Sequence, residues 1–116
     1  ETGQRLVERW ALRHCIVTLG ERGALCFSAG ENPLHEPGYA VELADPCGTG
    51  DAFSAGFLHG LLAGHDRREC CRLGNALGAI VATQAGATAP ISAGDRERFL
   101  AATVERRMDE RFAALA

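Results

Sequence analysis

One stretch constrains this chain more than any other: Asp45-Pro-Cys-Gly-Thr-Gly-Asp51-Ala-Phe-Ser-Ala-Gly-Phe57. A proline, two glycines and a small polar residue make an extended turn, and the apolar residues that follow Asp51 fall at helical spacing. The pattern predicts a loop that ends at a helix N-terminus. The first N–H groups of such a helix have no internal partners and carry partial positive charge, so glycines that let an anion approach the backbone make the end a phosphate or oxyanion site. Asp51 has two readings here. As a first-turn carboxylate it could simply complement the helix dipole, and for an isolated Gly-x-Gly-Asp that reading would suffice. A second Asp at 45 behind the fixed φ of Pro46, and Gly56 and Gly60 thinning one helix face for close packing, ask for more.

Taken together, Asp45-Pro-Cys-Gly-Thr-Gly-Asp51-Ala-Phe resembles the C-terminal signature of the ribokinase-like carbohydrate kinases, usually Asp-Thr-x-Gly-Ala-Gly-Asp-x-Phe. The flanks agree. Thr18-Leu-Gly-Glu-Arg-Gly23 resembles the family's nucleotide-side turn, and Gly74-Asn-Ala-Leu-Gly-Ala followed by Gly86-Ala resembles its downstream helix and cation loop. The resemblance covers nearly all of residues 1–116 and implies an α/β fold. The chain would be the C-terminal nucleotide-binding and catalytic part of a three-layer α/β/α domain with a mostly parallel sheet. A whole domain of that kind is roughly two to three times as long. The chain opens at Glu1, and the family's Asn-x-x-Glu pattern, tied to magnesium and phosphate, has no counterpart in it.

Composition narrows the function classes. Hydrophobic residues at 47% and charged residues at 23% suit an ordinary globular chain, and a net charge of −3 provides no broad basic field for nucleic acid or an anionic membrane. No apolar run approaches the span of a bilayer, and no signal-peptide pattern opens the chain. Cys15, Cys26, Cys47, Cys70 and Cys71 are odd in number and lack Cys-x-x-Cys spacing, which fits reduced thiols in a cytoplasmic protein better than a disulfide framework or zinc site.

Periodicity predicts an amphipathic helix over residues 4–13, a buried strand at Cys15–Leu19, a turn at Gly20–Gly23 and a second strand at Ala24–Ser28, paired with the first as a hairpin or beside it. Residues 29–37 read as turn-rich, with His35 on the surface, and Tyr39–Leu43 as another short strand. Helices are expected over about 50–64, 66–85 and 95–114. Asp66 and Glu69 have the spacing of a capping box, and Gly64 suits a helix C-cap. Arg67, Arg68 and Arg72 fall on a charged, solvated face, while His14, His59 and His65 suggest surface or packing roles.

The resemblance then assigns roles. It implies that Asp51 is the catalytic base for a sugar hydroxyl, with the N–H groups around Gly48, Thr49 and Gly50 as an anion hole for the transferred phosphoryl group. A carboxylate held against a hydroxyl beside a helix terminus suits that chemistry. Thr18, Gly20, Gly23 and Gly50 would lie along ATP. Asn75, polar within an apolar helix, either faces solvent or bonds something; the family places a similar residue near the adenine. Without the resemblance, Thr18–Gly23 is a strand ending in a glycine turn of a common sort.

Asp45 resembles the family's monovalent-cation residue, with Cys47 beside it and Val81, Gln84 and Gly86 matching the cation loop. Oxygen-only ligation suits K+. The thiol of Cys47 is a poor potassium ligand where the family has Thr or Val, although a main-chain oxygen there could serve. The expectation is therefore an ATP-dependent, Mg2+-requiring kinase with K+ at that loop, dimeric at full length. Its substrate would be a sugar or sugar acid, with 2-keto-3-deoxygluconate and fructose kinases the most similar types. The chain alone should be inactive. The alternative is a catalytically inactive fragment that binds a nucleotide or a partner chain, where an unpaired strand edge would favour association.

Overall fold

The computed structural model describes residues 2–84, 93–101 and 105–115, leaving aside the side chains of 93, 95 and 96. A nine-residue helix, α1 (Thr2–Trp10), leads into β1 (His14–Thr18), which turns through a 3-10 turn at Gly20–Arg22 into β2 (Ala24–Ser28). The two strands pair antiparallel with Cys15 opposite Phe27 and Val17 opposite Leu25, the hairpin alternative of the sequence reading. A third strand, β3 (Leu34–Glu36), pairs antiparallel with the other edge of β2. Residues 29–37 therefore hold a strand where the sequence suggested only turns, and His35 is fully buried rather than on the surface.

β2 is buried throughout, and its alternation divides the core. Ala24 and Cys26 face the helices that follow, joining Leu34, Phe53, Phe57, Cys70 and Cys71 in one cluster. Leu25 and Phe27 point the other way and pack with Val7 of α1 and with Phe112 and Leu115. The layers thus run helix, sheet, helix pair. All pairings among the described strands are antiparallel, so the mostly parallel sheet expected from the resemblance has no counterpart within the described residues.

The helix pair is α2 (Thr49–Leu62) and α3 (Arg67–Ala82), close to the expected spans. They cross at glycines. A Cβ on Gly56 would come within 2.8 Å of the Leu73 carbonyl oxygen, and one on Gly74 within 2.8 Å of the Phe53 ring, so the backbones approach as closely as they do only because both side chains are missing. The Asp66 carboxylate accepts a 2.8 Å bond from the Glu69 N–H, capping α3 as its spacing predicts. Gly64 before it has φ +81°, the left-handed value that ends a helix.

The three arginines at the start of α3 do more than line a solvated face. Arg67 reaches back 35 residues to the Asn32 carbonyl at 2.6 Å and also approaches Ser28 Oγ, while Arg68 bonds the Glu36 carboxylate at 3.0 Å and Arg72 pairs with Glu69. His14 packs edge-on to Phe57 and bonds Ser28 Oγ at 2.7 Å, the packing role expected of it. The five cysteines are free thiols.

The C-terminal region departs most from expectation. A single helix over 95–114 is replaced by α4 (Ala93–Ala101), then β5 (Arg106–Arg107), then 3-10 turns over Glu110–Leu115 that break at Phe112. β5 pairs antiparallel with β4 (Gly38–Tyr39), which is all that remains of the strand expected at 39–43. Helical propensity yields here to tertiary pairing, since Arg106 and Arg107 find carboxylates on distant segments. Among the described residues, no helix is long and apolar enough to cross a membrane.

Candidate active site

The loop before α2 is built by short local bonds. Asp45 Oδ1 accepts the Cys47 N–H at 2.9 Å, and the Pro46 carbonyl accepts both the Thr49 hydroxyl at 3.0 Å and the Thr49 N–H at 3.3 Å. Gly48, at φ +84°, takes the left-handed turn that lets the chain enter the helix, and its carbonyl accepts the first helical bond from Ala52 at 3.0 Å. The N–H groups of Gly48, Gly50 and Asp51 consequently have no partner among the described residues. The expected anion-hole set is thereby altered, because the Thr49 amide is already engaged. Open space lies over Gly50, where an added Cβ would meet nothing within 4 Å. The Asp51 side chain is exposed, makes no cap bond to its own helix and has no hydrogen-bond or ion-pair partner among the described residues.

Beside this helix end runs a cleft of about 290 Å³. It brings together Thr18, Gly20 and Gly23 from the hairpin turn, Thr49 and Gly50 from α2 and Asn75 from α3. Asp51 itself is one residue beyond the lining. The cleft also takes in Tyr39, Val41 and Phe53, and the small residues Gly74, Gly78 and Ala82 of α3, none of which the sequence reading picked out as site residues. Gly74, Gly78 and Ala82 recur every fourth residue, a helix face without side-chain bulk, and that spacing was a usable signal.

The cleft wall is tightly fixed. Gly23 (φ +93°) lies against the Glu36 carbonyl, with space for no side chain. His35 Nε2–H donates to the Arg22 carbonyl at 2.9 Å, holding the glycine turn to β3. Asn75 is buried, and its Nδ2 donates to the Glu36 and Pro37 carbonyls at 3.1 and 3.0 Å, which resolves the choice between facing solvent and bonding something. Its side-chain oxygen makes no hydrogen bond among the described residues.

At the far end, the Ala82 carbonyl accepts the N–H groups of Ala44 at 2.8 Å and Asp45 at 3.2 Å, stitching the loop to the C-terminus of α3. The Val81 carbonyl accepts the Gln84 N–H at 3.0 Å, Cys47 is exposed, and Gly86 lies outside the described residues. Gln84 Oε1 is buried with no hydrogen-bond partner among the described residues, an oxygen donor of the type an alkali cation takes. For a divalent ion the fit is poorer. The described residues gather no group of three His, Cys, Asp or Glu side chains.

A family model described as pfkB family carbohydrate kinase matches residues 1–93, which include the cleft's glycine turn, the Asp45–Asp51 loop and Asn75. The chain belongs to the pfkB family of carbohydrate kinases. Curated relatives include the bifunctional protein HldE of Photobacterium profundum, 33% identical over 86 residues, and a cytidine kinase of Thermococcus kodakarensis, 37% identical over 71 residues. Those matches take in 74% and 60% of this chain but 18% and 26% of the relatives. Among solved structures, a ribokinase from Thermotoga maritima superposes with a TM-score of 0.78 at 29% identity, covering 86% of this chain and 34% of that one. A fructokinase from Vibrio cholerae O395, solved with fructose, ADP and calcium ion bound, gives 0.74 at 30% identity over 85% and 34%. This member of the family thus has a ribokinase-like α/β fold and spans about a third or less of the length of these relatives.

Proposed function

We propose that these residues form the nucleotide-binding and catalytic part of an ATP-dependent kinase, one that phosphorylates a hydroxyl of a sugar or sugar acid. In this reading the segment belongs to a three-layer domain whose mostly parallel sheet is completed by further strands. The observation that carries the reading is the state of the α2 N-terminus: an exposed Asp51 beside the N–H groups of Gly48 and Gly50, none of them with a partner among the described residues.

ATP lies along the cleft, its phosphates over the Gly20–Gly23 turn and toward Gly50, its base near Asn75. The substrate hydroxyl meets Asp51, which accepts its proton as the oxygen forms a bond to the γ-phosphorus and the bond to the ADP oxygen breaks. The free amides and the positive end of α2 stabilise the negative charge gathering on the transferred group, without any rearrangement at the moment of reaction. Magnesium, when bound, would supply further charge neutralisation at the phosphates; among the described residues no three His, Cys, Asp or Glu side chains gather to hold it. Asp45, the Val81 carbonyl and Gln84 would hold a K+ ion that fixes the loop below the anion hole. Fructose, 2-keto-3-deoxygluconate and related furanose or keto acceptors are the substrate class, and the cytoplasm is the compartment.

The test is Asp51→Asn in a kinase of full family length that carries these residues. Turnover falls roughly a hundredfold or more, as for loss of a general base, while ATP binding persists; unchanged turnover removes Asp51 from the role. A second reading is an inactive nucleotide- or partner-binding module, for which the cleft by itself would suffice. The two part on one assay, sugar phosphorylation by a protein of full family length, since the 116-residue chain should bind ATP yet phosphorylate no sugar under either reading.

A further inference from the structure

The family match ends at residue 93, yet the segment that follows α4 comes back to the cleft. We propose that Arg106 is a positioning residue for the cleft wall that carries Tyr39, and that residues 105–115 act as a strap tuning nucleotide affinity in this chain. The inference rests on the reading of the cleft as the nucleotide site.

Arg106 sits opposite Tyr39 in the β4–β5 pairing. Its Nε donates to the Gly38 carbonyl at 3.2 Å, and one terminal nitrogen donates to the Pro37 carbonyl at 2.6 Å and to the Glu36 carboxylate. The guanidinium lies over the Tyr39 ring, 4.2 Å from its centroid, and Phe99 of α4 closes on that ring edge-on at 5.0 Å. One planar group therefore fixes three successive backbone or side-chain acceptors and the aromatic face next to them, a task that suits a forked guanidinium and not a point charge. Tyr39 is buried and lines the cleft, so what sets its ring sets the width of the wall.

Two neighbours extend the strap to the glycine turn. Arg107 pairs with Glu21 at 2.7 Å, and Phe112 packs edge-on against His35, whose ring holds the Arg22 carbonyl. Turn and wall are thus both braced from the same segment. Asn75 and Arg68 hold the Glu36–Pro37 stretch from the α3 side, so the fold does not depend on Arg106 alone.

Tyr39 is the only tyrosine in the chain, which makes the test clean. The protein is labelled with 3-fluorotyrosine, and its single fluorine resonance is followed in Arg106→Ala, Arg106→Lys and Glu110→Ala, the last an exposed residue of the same segment. Arg106→Ala should shift or broaden the resonance without nucleotide and raise the ATP dissociation constant about tenfold, consistent with loss of a cation–π contact and a charged hydrogen bond. Arg106→Lys should recover only part, and Glu110→Ala should change neither. A resonance and an affinity both unmoved in Arg106→Ala overturn the proposal, as does full recovery in Arg106→Lys. If the alanine variant loses its helical circular dichroism, the lysine variant decides by the same two readouts. Failure of the unaltered chain to bind ATP counts against the nucleotide reading instead, and the fluorine comparison without nucleotide still judges the placement of Tyr39.

Discussion

Glu36 and Asp51 are two carboxylates each close in sequence to segments that line the cleft, and the fold treats them in opposite ways. Glu36 is 5% exposed, with one oxygen bonded to Arg68 and the other to Arg106. Asp51 is exposed and bonds nothing among the described residues, although an Arg or Lys partner would cost a surface carboxylate little. The same contrast holds for the backbones around them. Around Glu36 the carbonyls of residues 36–38 are all taken by side-chain donors, while around Asp51 the N–H groups of residues 48, 50 and 51 are left over. One region spends its polar groups on holding itself in place; the other keeps them available at a helix end whose field favours anions. That difference, more than the presence of an acidic residue as such, is what supports the role proposed for the α2 terminus.

The contrast can be broken by substitution. Glu36→Ala removes both ion pairs and should lower unfolding stability by about 2 kcal/mol, since its arginine partners are only partly buried and regain water. Asp51→Ala should stay within about 0.5 kcal/mol of the parent, as for a surface group without contacts. Urea denaturation of the two variants compares them directly, and an equal loss in both would erase the distinction.

A third carboxylate sharpens it at a smaller scale. Asp109 is held well below the ordinary carboxylate value of 3.8, to about 2, chiefly by its hydrogen bonds from the Arg111 side chain and then by the Arg111 N–H. Because the folded value is the lower one, the unfolded chain binds more protons between the two, and stability falls as pH drops from about 4 toward about 2. Above that window the contribution is fully present. Arg111→Ala should flatten this part of the stability profile in acid titrations monitored by circular dichroism, and lower stability above pH 5 by an amount that does not vary with pH.

How much of this was legible in the sequence depends on the range of the forces involved. The β1–β2 hairpin, the α2 entry, the Asp66 cap and the Gly56 crossing follow from local signals: alternation, a left-handed glycine, a capping spacing, a missing side chain. The buried state of His35, the reach of Arg67 to Asn32 and the replacement of a C-terminal helix by β5 do not. Each is decided by a partner far along the chain, such as Glu36 for Arg106, and local composition around residues 105–115 still reads as a charged helix. Asn75 lies between these cases. A polar residue in an apolar helix announced that something must be bonded, but only the fold supplied the Glu36 and Pro37 carbonyls. The loop's free amides were half legible: the helix end was predicted, whereas engagement of the Thr49 N–H by Pro46 needed the turn geometry.

The central claim is that the unspent groups at the start of α2 face a nucleotide in the adjoining cleft. Backbone amide chemical-shift mapping of the 116-residue chain during titration with ATP tests it most directly. The account predicts saturable shifts at Gly20–Gly23, Gly48, Gly50 and Asp51, with the outer face of α1 silent. Shifts that cluster on another surface, or none at the α2 terminus at saturating ATP, would contradict it.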